Sequence, residues 1–313
     1  MATAHSAVDF HRTAPAATTL PLEWQHGQPG TTEPPIQVHW ADPHTVVLRQ
    51  SIRTDYEAPF LYLLFGNDRA VLLDTGATAD PARFPLRATV DGLVEEWLGE
   101  HPRERYELVV AHSHGHGDHV AGDPQFAGRE RTTVVGTERA AVLAYFGLPD
   151  GADADDGPVA FDLGGRVLEV LATPGHQDAA VTVLDPWTGW LLTGDTIYPG
   201  RLYVADVPAF LRSLDALVTF AAERAATAVM GCHIEMSRKP RHDHPLRATR
   251  HPGEAPLQLP VGVLAEVRDA ARSVADRPGL HRFDRFVLVV GRGRRVRAQL
   301  GTRAVLGRLG LVR

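Results

Sequence analysis

The sequence contains a single cysteine, Cys232, among its 313 residues. One cysteine excludes an internal disulfide and a cysteine-based zinc knuckle. Long hydrophobic runs are absent too, since no apolar stretch approaches the roughly 18 residues that cross a bilayer. The start of the chain has neither a basic segment nor a continuous apolar run, so it does not read as a signal peptide. We therefore expect a cytoplasmic protein with no membrane association.

A surplus of positive charge is also missing. The chain has 32 basic against 38 acidic residues and a net charge of −6, which gives no electrostatic reason to expect nucleic-acid binding. The basic stretch at residues 292–297 resembles a nucleic-acid patch, but an alternating, solvated strand face explains it equally well and agrees better with the acidic net charge. We expect a small-molecule substrate and no nucleic-acid partner. The oligomeric state is left open, with a homodimer as one alternative.

Hydrophobic residues make up 44% and charged residues 22% of the chain, a composition typical of globular proteins. Residues 1–35 are rich in Pro, Thr, Ala and Gly without a sustained period, which predicts an extended arm. Residues 36–240 carry the apolar runs of a core domain. Residues 241–313 are expected to be an extension that packs on this domain or completes it.

Short apolar runs bounded by turn residues predict strands at 45–48, 60–65, 70–73, 108–111, 167–171, 181–184, 190–192, 226–230 and 285–290. Helical spacing of apolar residues predicts helices at 86–99, 137–146, 209–224 and 261–275. Strands that alternate with helices in this way indicate a layered α/β fold.

Histidine is abundant, with 16 in the chain, and several follow the predicted strand at 108–111 directly. There His114, His116, Asp118 and His119 place three imidazoles and a carboxylate close together, and intervening glycines let the backbone curl around a small ion. A solvated histidine loop is the alternative for this segment alone. His112 also precedes the motif, but strand alternation points it away from its neighbours and predicts a structural role.

Three further candidate ligands, His176, Asp195 and His233, each follow an apolar, strand-like run. Because strand ends in layered α/β proteins meet along one edge, these groups can converge although they are distant in sequence. A core histidine satisfied by a backbone carbonyl is the alternative for any one of them. The repeated order of strand, small residue and ligand argues against that alternative for the whole set.

In this order, and with the segment from Leu73 to Gly76, these motifs resemble those of the metallo-β-lactamase-fold hydrolases, over roughly two-thirds of the chain. The resemblance implies an αββα sandwich, in which two mixed sheets pack face to face with helices on the outer faces. It also implies the dinuclear branch of the family. Ser113 stands where the family usually has Thr, and it keeps the hydroxyl.

Carried over by position, the resemblance implies a role for each ligand. Asp74 would orient ligands without binding metal. The first metal would be bound by His114, His116 and His176. The second metal would be bound by Asp118, His119 and His233. Asp195 would bridge the two metals.

Ligation by imidazole and carboxylate without a thiolate favours zinc and also tolerates manganese or iron. Two divalent ions can share a water, lower its pKa towards roughly 7 and present hydroxide to an electrophile. We therefore predict a dinuclear hydrolase of a small ester, thioester or lactone, with Asp118 among the catalytic residues. Cys232 neighbours His233 but is not expected to act as the nucleophile.

Residues 195–203 read as a turn-rich loop that leaves the bridging carboxylate and borders the metal pocket. Within it, Tyr198 is predicted to donate a hydrogen bond to the developing oxyanion, and Arg201 to pair with an anionic substrate group. The alternative is that Tyr198 packs as a half-buried aromatic side chain.

Two other functions fit the same motifs. One is a mononuclear iron oxidoreductase resembling the persulfide dioxygenases, which would contain about one iron per chain. The other is a non-catalytic metal-binding protein with an occluded site. A β-lactamase activity is less expected, because Asp195 stands where the best-known of those enzymes have a cysteine. The identity of the substrate is not readable from the sequence, since fold analogy does not supply it.

Overall fold

The computed structural model describes residues 7–11, 20, 23–291 and 293 of the chain. Most of the predicted arm, and the basic stretch at 292–297 apart from Gly293, therefore lie outside the described residues. Within the described part, the strands form two six-stranded sheets and one three-stranded sheet. None of the described helices combines the length and the apolar character needed to span a membrane.

The first sheet keeps the order of the chain from β1 to β6. Its strands are β1 (Ile36–Asp42), β2 (Thr45–Gln50), β3 (Phe60–Phe65), β4 (Arg69–Leu73), β5 (Glu107–Ala111) and β6 (Thr132–Val134). Strands β1 to β4 pair antiparallel, whereas β4, β5 and β6 pair parallel, so the sheet is mixed. A parallel pair needs a crossover connection, which α1 (Leu86–Glu100) supplies between β4 and β5.

The second sheet has the order β13-β12-β10-β9-β8-β7. Its strands are β7 (Val159–Asp162), β8 (Val167–Ala172), β9 (Val181–Asp185), β10 (Trp190–Gly194), β12 (Ala228–Gly231) and β13 (Gln258–Pro260). The pair of β10 with β12 is parallel and the other pairs are antiparallel. Helix α4 (Val207–Glu223) lies in the crossover between β10 and β12.

Alternate residues of the buried strands face different layers. On β3, Phe60 and Tyr62 lie in the core between the two large sheets, whereas Leu61 and Leu63 face outward and belong to the cluster that contains Trp97 of α1. Because both faces are covered, such a strand reads as a continuous apolar run and not as an alternating one.

The outer face of the second sheet is covered in the same way. Leu191 of β10 and Val229 of β12 share a cluster with Leu214 of α4 and with Val267 of α5 (Val263–Val274). The order of layers is therefore helix, sheet, sheet, helix, and the predicted αββα sandwich is confirmed. Two shorter helices complete the list, α2 (Gly117–Val120) and α3 (Arg139–Phe146).

A third, smaller sheet is an addition to the predicted fold. It consists of β11 (Arg201–Val204), β14 (Gly279–Arg282) and β15 (Val287–Val290), in the order β11-β15-β14. The prediction of a loop throughout residues 195–203 was therefore wrong for its last part. Strand β11 is short and pairs in parallel with a strand near the end of the described chain, so no local pattern marks it.

The buried Arg166 links the two large sheets. It precedes β8, and its guanidinium lies 2.6 Å from Asp185 at the end of β9. The same group donates to the carbonyl of His44 and to the hydroxyl of Thr45, at the turn between β1 and β2. Burial alone would raise the pKa of Asp185, but the charge and hydrogen bonds of Arg166 outweigh it and hold the pKa below its usual value.

We predict that Arg166→Leu lowers the free energy of unfolding by about 3–5 kcal/mol, because it leaves Asp185 buried without its cation. Because the pKa of Asp185 is lowered in the folded protein, its ion pair with Arg166 stabilises the fold fully at pH values above the ordinary carboxyl pKa. This stabilisation is lost as the pH falls through the pKa that Asp185 has in the folded protein. Denaturant titration at neutral pH measures the effect. Arg224→Leu, which breaks the more exposed ion pair of Arg224 with Glu169, is the control and should cost less than about 1 kcal/mol. Equal losses in the two variants would contradict the prediction.

Candidate metal centre

The predicted ligands converge because each lies just beyond the carboxyl end of a strand. Strand β5 leads into residues 112–119, β8 into His176, β10 into Asp195 and β12 into His233. Strands β10 and β12 are parallel, and β8 shares their direction because both β8 and β10 are antiparallel to β9. The loops that follow them therefore meet at one edge of the sandwich, facing the loop that follows β5.

The first group of ligand atoms comes from three histidines. Nε2 of His114 lies 2.9 Å from Nδ1 of His116, and Nε2 of His176 lies 3.0 Å from that same atom. Burial lowers the pKa of His114 well below its ordinary value and also lowers the pKa of His176. Both rings are therefore neutral near pH 7, which is the form of imidazole that binds metal.

The second group contains Asp118, His119, Asp195 and His233. The distances that involve a histidine of this group run from 3.3 Å, for His233 to Asp195, to 3.6 Å, for His119 to either carboxylate. The two histidine Nε2 atoms are 3.4 Å apart, as are His233 Nε2 and Asp118 Oδ2. A tetrahedral zinc ion with bonds of about 2.0–2.1 Å requires ligand atoms about 3.3–3.4 Å apart. The spacing therefore fits a tetrahedral divalent ion.

Asp195 lies between the two groups. Its Oδ1 is 3.3 Å from His233, and its Oδ2 is 3.7 Å from His176 of the first group. Burial would raise its pKa, but His233 and His119 hold that pKa well below the usual range, so the carboxylate is ionised. Oδ1 is buried and accepts no hydrogen bond from the described part of the chain. A buried, ionised oxygen of this kind requires a neighbouring positive charge, which His233 and His119 provide and which a bound metal ion would provide in their place.

Hydrogen bonds from the outer ring nitrogens fix the orientation of the imidazoles. Nδ1 of His176 lies 2.8 Å from the carbonyl oxygen of Tyr203, and Nδ1 of His233 lies 2.9 Å from the carbonyl oxygen of Glu57. Because each Nδ1 faces an acceptor, it carries a proton, which leaves Nε2 as the atom that would bind metal. Such partners fix both the tautomer and the ring orientation of a metal ligand. Burial would lower the pKa of His233, but Asp195 and Asp118 raise it to about 10, so its Nε2 would have to lose a proton when a metal binds.

Asp74 orients the third of these rings. Its Oδ2 lies 2.9 Å from Nδ1 of His119, and its two oxygens also accept hydrogen bonds from the backbone N–H and the hydroxyl of Ser113. Asp74 has a φ of 71°, a strained value for a residue with a side chain. At Gly194, a Cβ would lie 2.5 Å from Ser113 Cβ, so glycine permits this close approach.

The thiol of Cys232 is part of the same buried network. Its Sγ lies 3.1 Å from Asp74 Oδ2, and burial together with Asp74 holds the pKa of the thiol well above its ordinary value. A protonated, buried thiol is a poor nucleophile. His112 lies outside both ligand groups, with Nε2 2.8 Å from Asp123.

A cavity of about 410 Å³ opens onto the centre. His114 and His119 are buried and do not line it. Six predicted site residues do line it, namely His116, Asp118, His176, Asp195, Tyr198 and His233. Tyr203 also lines it, as predicted for the segment 195–203, whereas sequence reasoning missed Glu57, Leu246 and Val289. They come from loops and from the third sheet, where no motif marks them.

Tyr198 and Arg201 are placed differently from the sequence-based expectation. The ring of Tyr198 lines the cavity, but its hydroxyl donates to the carbonyl of Arg201. Its predicted role as an oxyanion donor stays a prediction and requires this bond to break. The expectation that Arg201 meets a substrate anion was wrong, because its guanidinium is buried and pairs with Glu235 and Asp243.

Comparison with known families agrees with this geometry. The sequence profile of the metallo-beta-lactamase superfamily matches residues 57–264, more than half of the chain. The chain belongs to this superfamily. The resemblance drawn from the motifs is therefore confirmed, and metal binding is a property of the family.

Curated relatives include two proteins named hydroxyacylglutathione hydrolase. The one from Anaeromyxobacter dehalogenans is 32% identical over 139 residues, 44% of this chain and 46% of that protein. The one from a Synechococcus species is 33% identical over 162 residues, 50% of this chain and 58% of that protein. The chain thus spans about half the length of these relatives.

Solved structures show the same fold. The metallo-beta-lactamase DIM-1 superposes with a TM-score of 0.50 at 13% identity, covering 78% of this chain and 100% of that one. TMB-1 superposes with a TM-score of 0.50 at 15% identity and the same coverage. At these identities the likeness concerns the fold alone.

We predict that Asp118→Ala loses metal from the second group and most of the hydrolytic activity, with little change in the free energy of unfolding, because Asp118 is half-buried and offers an oxygen to a group that could hold a metal ion. His112→Ala is the matched control and should keep its metal. Elemental analysis, an activated-ester assay and denaturant titration of both variants measure these effects. Identical metal content in the two variants would refute the distinction between ligand and neighbour.

Proposed function

We propose that this chain is a dinuclear, metal-dependent hydrolase that cleaves a small ester, thioester or lactone. The observation that carries the proposal is the position of Asp195, whose two carboxylate oxygens face two separate groups of ligand atoms. The two groups contain seven side chains, more than a single tetrahedral ion can use. The open cavity at the centre supports an enzyme over a non-catalytic protein with an occluded site.

The three-histidine group would hold one ion and the group around His119 the other, with Asp195 shared between them. Zinc fits best because the donors are nitrogen and oxygen at tetrahedral spacing, although manganese or iron would be tolerated. When bound, the ions would supply an acidified water as nucleophile and a Lewis acid for the carbonyl oxygen of the substrate. In a mononuclear iron oxidoreductase, the second group of ligand atoms would bind no metal.

Asp118 is exposed to substrate, because it lines the cavity and is half-buried. Burial would raise its pKa, but the hydrogen bond from His233 and the charge of His119 lower it overall. The carboxylate is therefore ionised at neutral pH and can accept a hydrogen bond from the attacking water, which orients that water.

The name of the curated relatives favours one substrate class. Hydroxyacylglutathione carries its acyl group on the sulfur of glutathione, so the named reaction of those proteins is hydrolysis of a thioester. We infer that a thioester is the best first substrate to test on this chain, ahead of oxygen esters and lactones.

We predict two equivalents of divalent metal per chain in protein purified without chelator, measured by elemental analysis. Removal of the metal by a chelator should abolish thioester hydrolysis, and added zinc should restore it, because no protein nucleophile replaces the activated water. A reproducible single equivalent of iron, with no second site filled on addition of zinc, would refute the dinuclear proposal.

We predict that Tyr198→Phe lowers kcat on the best thioester by at least about tenfold, roughly 1.4 kcal/mol of transition-state stabilisation, with metal content unchanged. Tyr106→Phe is the matched control, because Tyr106 is also buried and donates to a carbonyl, that of Gly66, but does not line the cavity. A wild-type kcat in Tyr198→Phe would limit Tyr198 to packing and to its bond with Arg201.

A further inference from the structure

The cavity wall carries carboxylates that the ligand groups do not use. Glu57 and Glu235 both line it, and no lysine or arginine is among its described lining residues. An adjoining groove shares His116 and His176 with the cavity and adds Asp178 and Asp206, again with no lysine or arginine among the described residues that line it. A substrate that enters from either side therefore meets acidic side chains.

The described arginines near the cavity are engaged elsewhere. Arg201 is buried behind the wall in its ion pairs with Glu235 and Asp243. The guanidinium of Arg247, which follows the wall residue Leu246, lies 5.6 Å from the ring centroid of Tyr56 and does not line the cavity. Because Arg201 balances Glu235, Glu57 is the wall carboxylate with no lysine or arginine partner in the described part of the chain. The charge of His233 favours its ionised form, but burial outweighs this and raises the pKa of Glu57 to about 7.

The remainder of the wall is largely apolar. Val204 of β11, Val289 of β15 and Leu246 line the cavity together with Tyr203. Such a surface favours an uncharged, apolar group of the substrate and offers no compensation for a buried anion. The apolar surface and the carboxylate of Glu57 therefore decide which substrate groups this wall favours.

We propose that the cavity selects acyl substrates without an anionic group, and that Glu57 is the residue that excludes anionic ones. This inference rests on the proposed hydrolase function and narrows it. An S-acylglutathione has a net negative charge, and its carboxylates lie several bonds from the sulfur. With the thioester at the ligand groups, those carboxylates would meet the wall, where like charge is repelled and no described cation pairs with them. The substrate would then be a thioester or ester of a neutral or cationic leaving group.

The test uses three thioesters with one common hydroxyacyl group and different thiols. Glutathione is anionic, N-acetylcysteamine is neutral and thiocholine is cationic. With metal-replete wild-type protein at about pH 8, above the raised pKa of about 7 of Glu57, kcat/KM for the neutral and cationic thioesters should exceed that for the glutathione thioester by at least about tenfold. Added salt should narrow the difference, because it screens charge repulsion.

The variant Glu57→Gln isolates the charge at nearly constant shape. It should raise kcat/KM for the glutathione thioester at least about threefold relative to the neutral one. Glu96→Gln removes the same charge at an exposed position of α1, away from the cavity lining, and should leave the ratio unchanged. Calorimetric binding of stable thioether analogues of the same thiols gives a second readout that does not depend on turnover, and it should show the same order of affinity.

The outcomes separate the two levels of the proposal. If no ester or thioester is cleaved by metal-replete protein, the proposed function is wrong and the inference falls with it. If thioesters are cleaved and that of glutathione is the best substrate, the proposed function stands and the charge selection is overturned. An unchanged ratio in Glu57→Gln, with unchanged binding of the thioether analogues, would overturn the role of Glu57.

Discussion

The geometry of the metal centre depends on how two sheets are held against each other. The ligands of one sheet follow β5, and those of the other follow β8, β10 and β12, so no single element carries a complete site. Ligand spacing is then set by the core between the sheets, where the inward faces of both interdigitate. Because a protein interior is close-packed, this core resists the small sliding motions that would separate the two sets of ligands.

The orientation of the imidazole rings depends mainly on backbone carbonyl groups. The carbonyls of Tyr203 and Glu57 each accept the outer proton of a ligand ring, and a side-chain substitution does not remove a carbonyl. Asp74 is the exception, because its side chain holds both His119 and Ser113. The left-handed backbone at Asp74 is tolerated because these bonds over-determine its position.

The parts of the molecule that sequence predicts well are those with local signals. The candidate ligand motif from His114 to His119 is compact, and the buried strands carry continuous apolar runs, so a layered α/β fold and the candidate ligands followed from short windows. The αββα order of the layers followed from the resemblance to the family. Strand β11 gave no such signal, because its partner β15 lies far along the chain. Arg201 looked available for the same reason, since Glu235 and Asp243 become its partners only after folding. Glu57, in the segment between β2 and β3, has no periodic pattern around it.

The third sheet also affects when the centre can form during synthesis. The Tyr203 carbonyl that orients His176 belongs to β11, and Tyr203 pairs with Val289 of β15. All seven candidate ligand side chains leave the ribosome before β15 does, since the last of them is His233. During synthesis, the full set of candidate ligands is therefore exposed before β15 has been made. Strand β15 pairs with β11 at Tyr203, whose carbonyl orients His176. We expect early metal capture to be loose and final affinity to be reached only when the end of the described chain has docked.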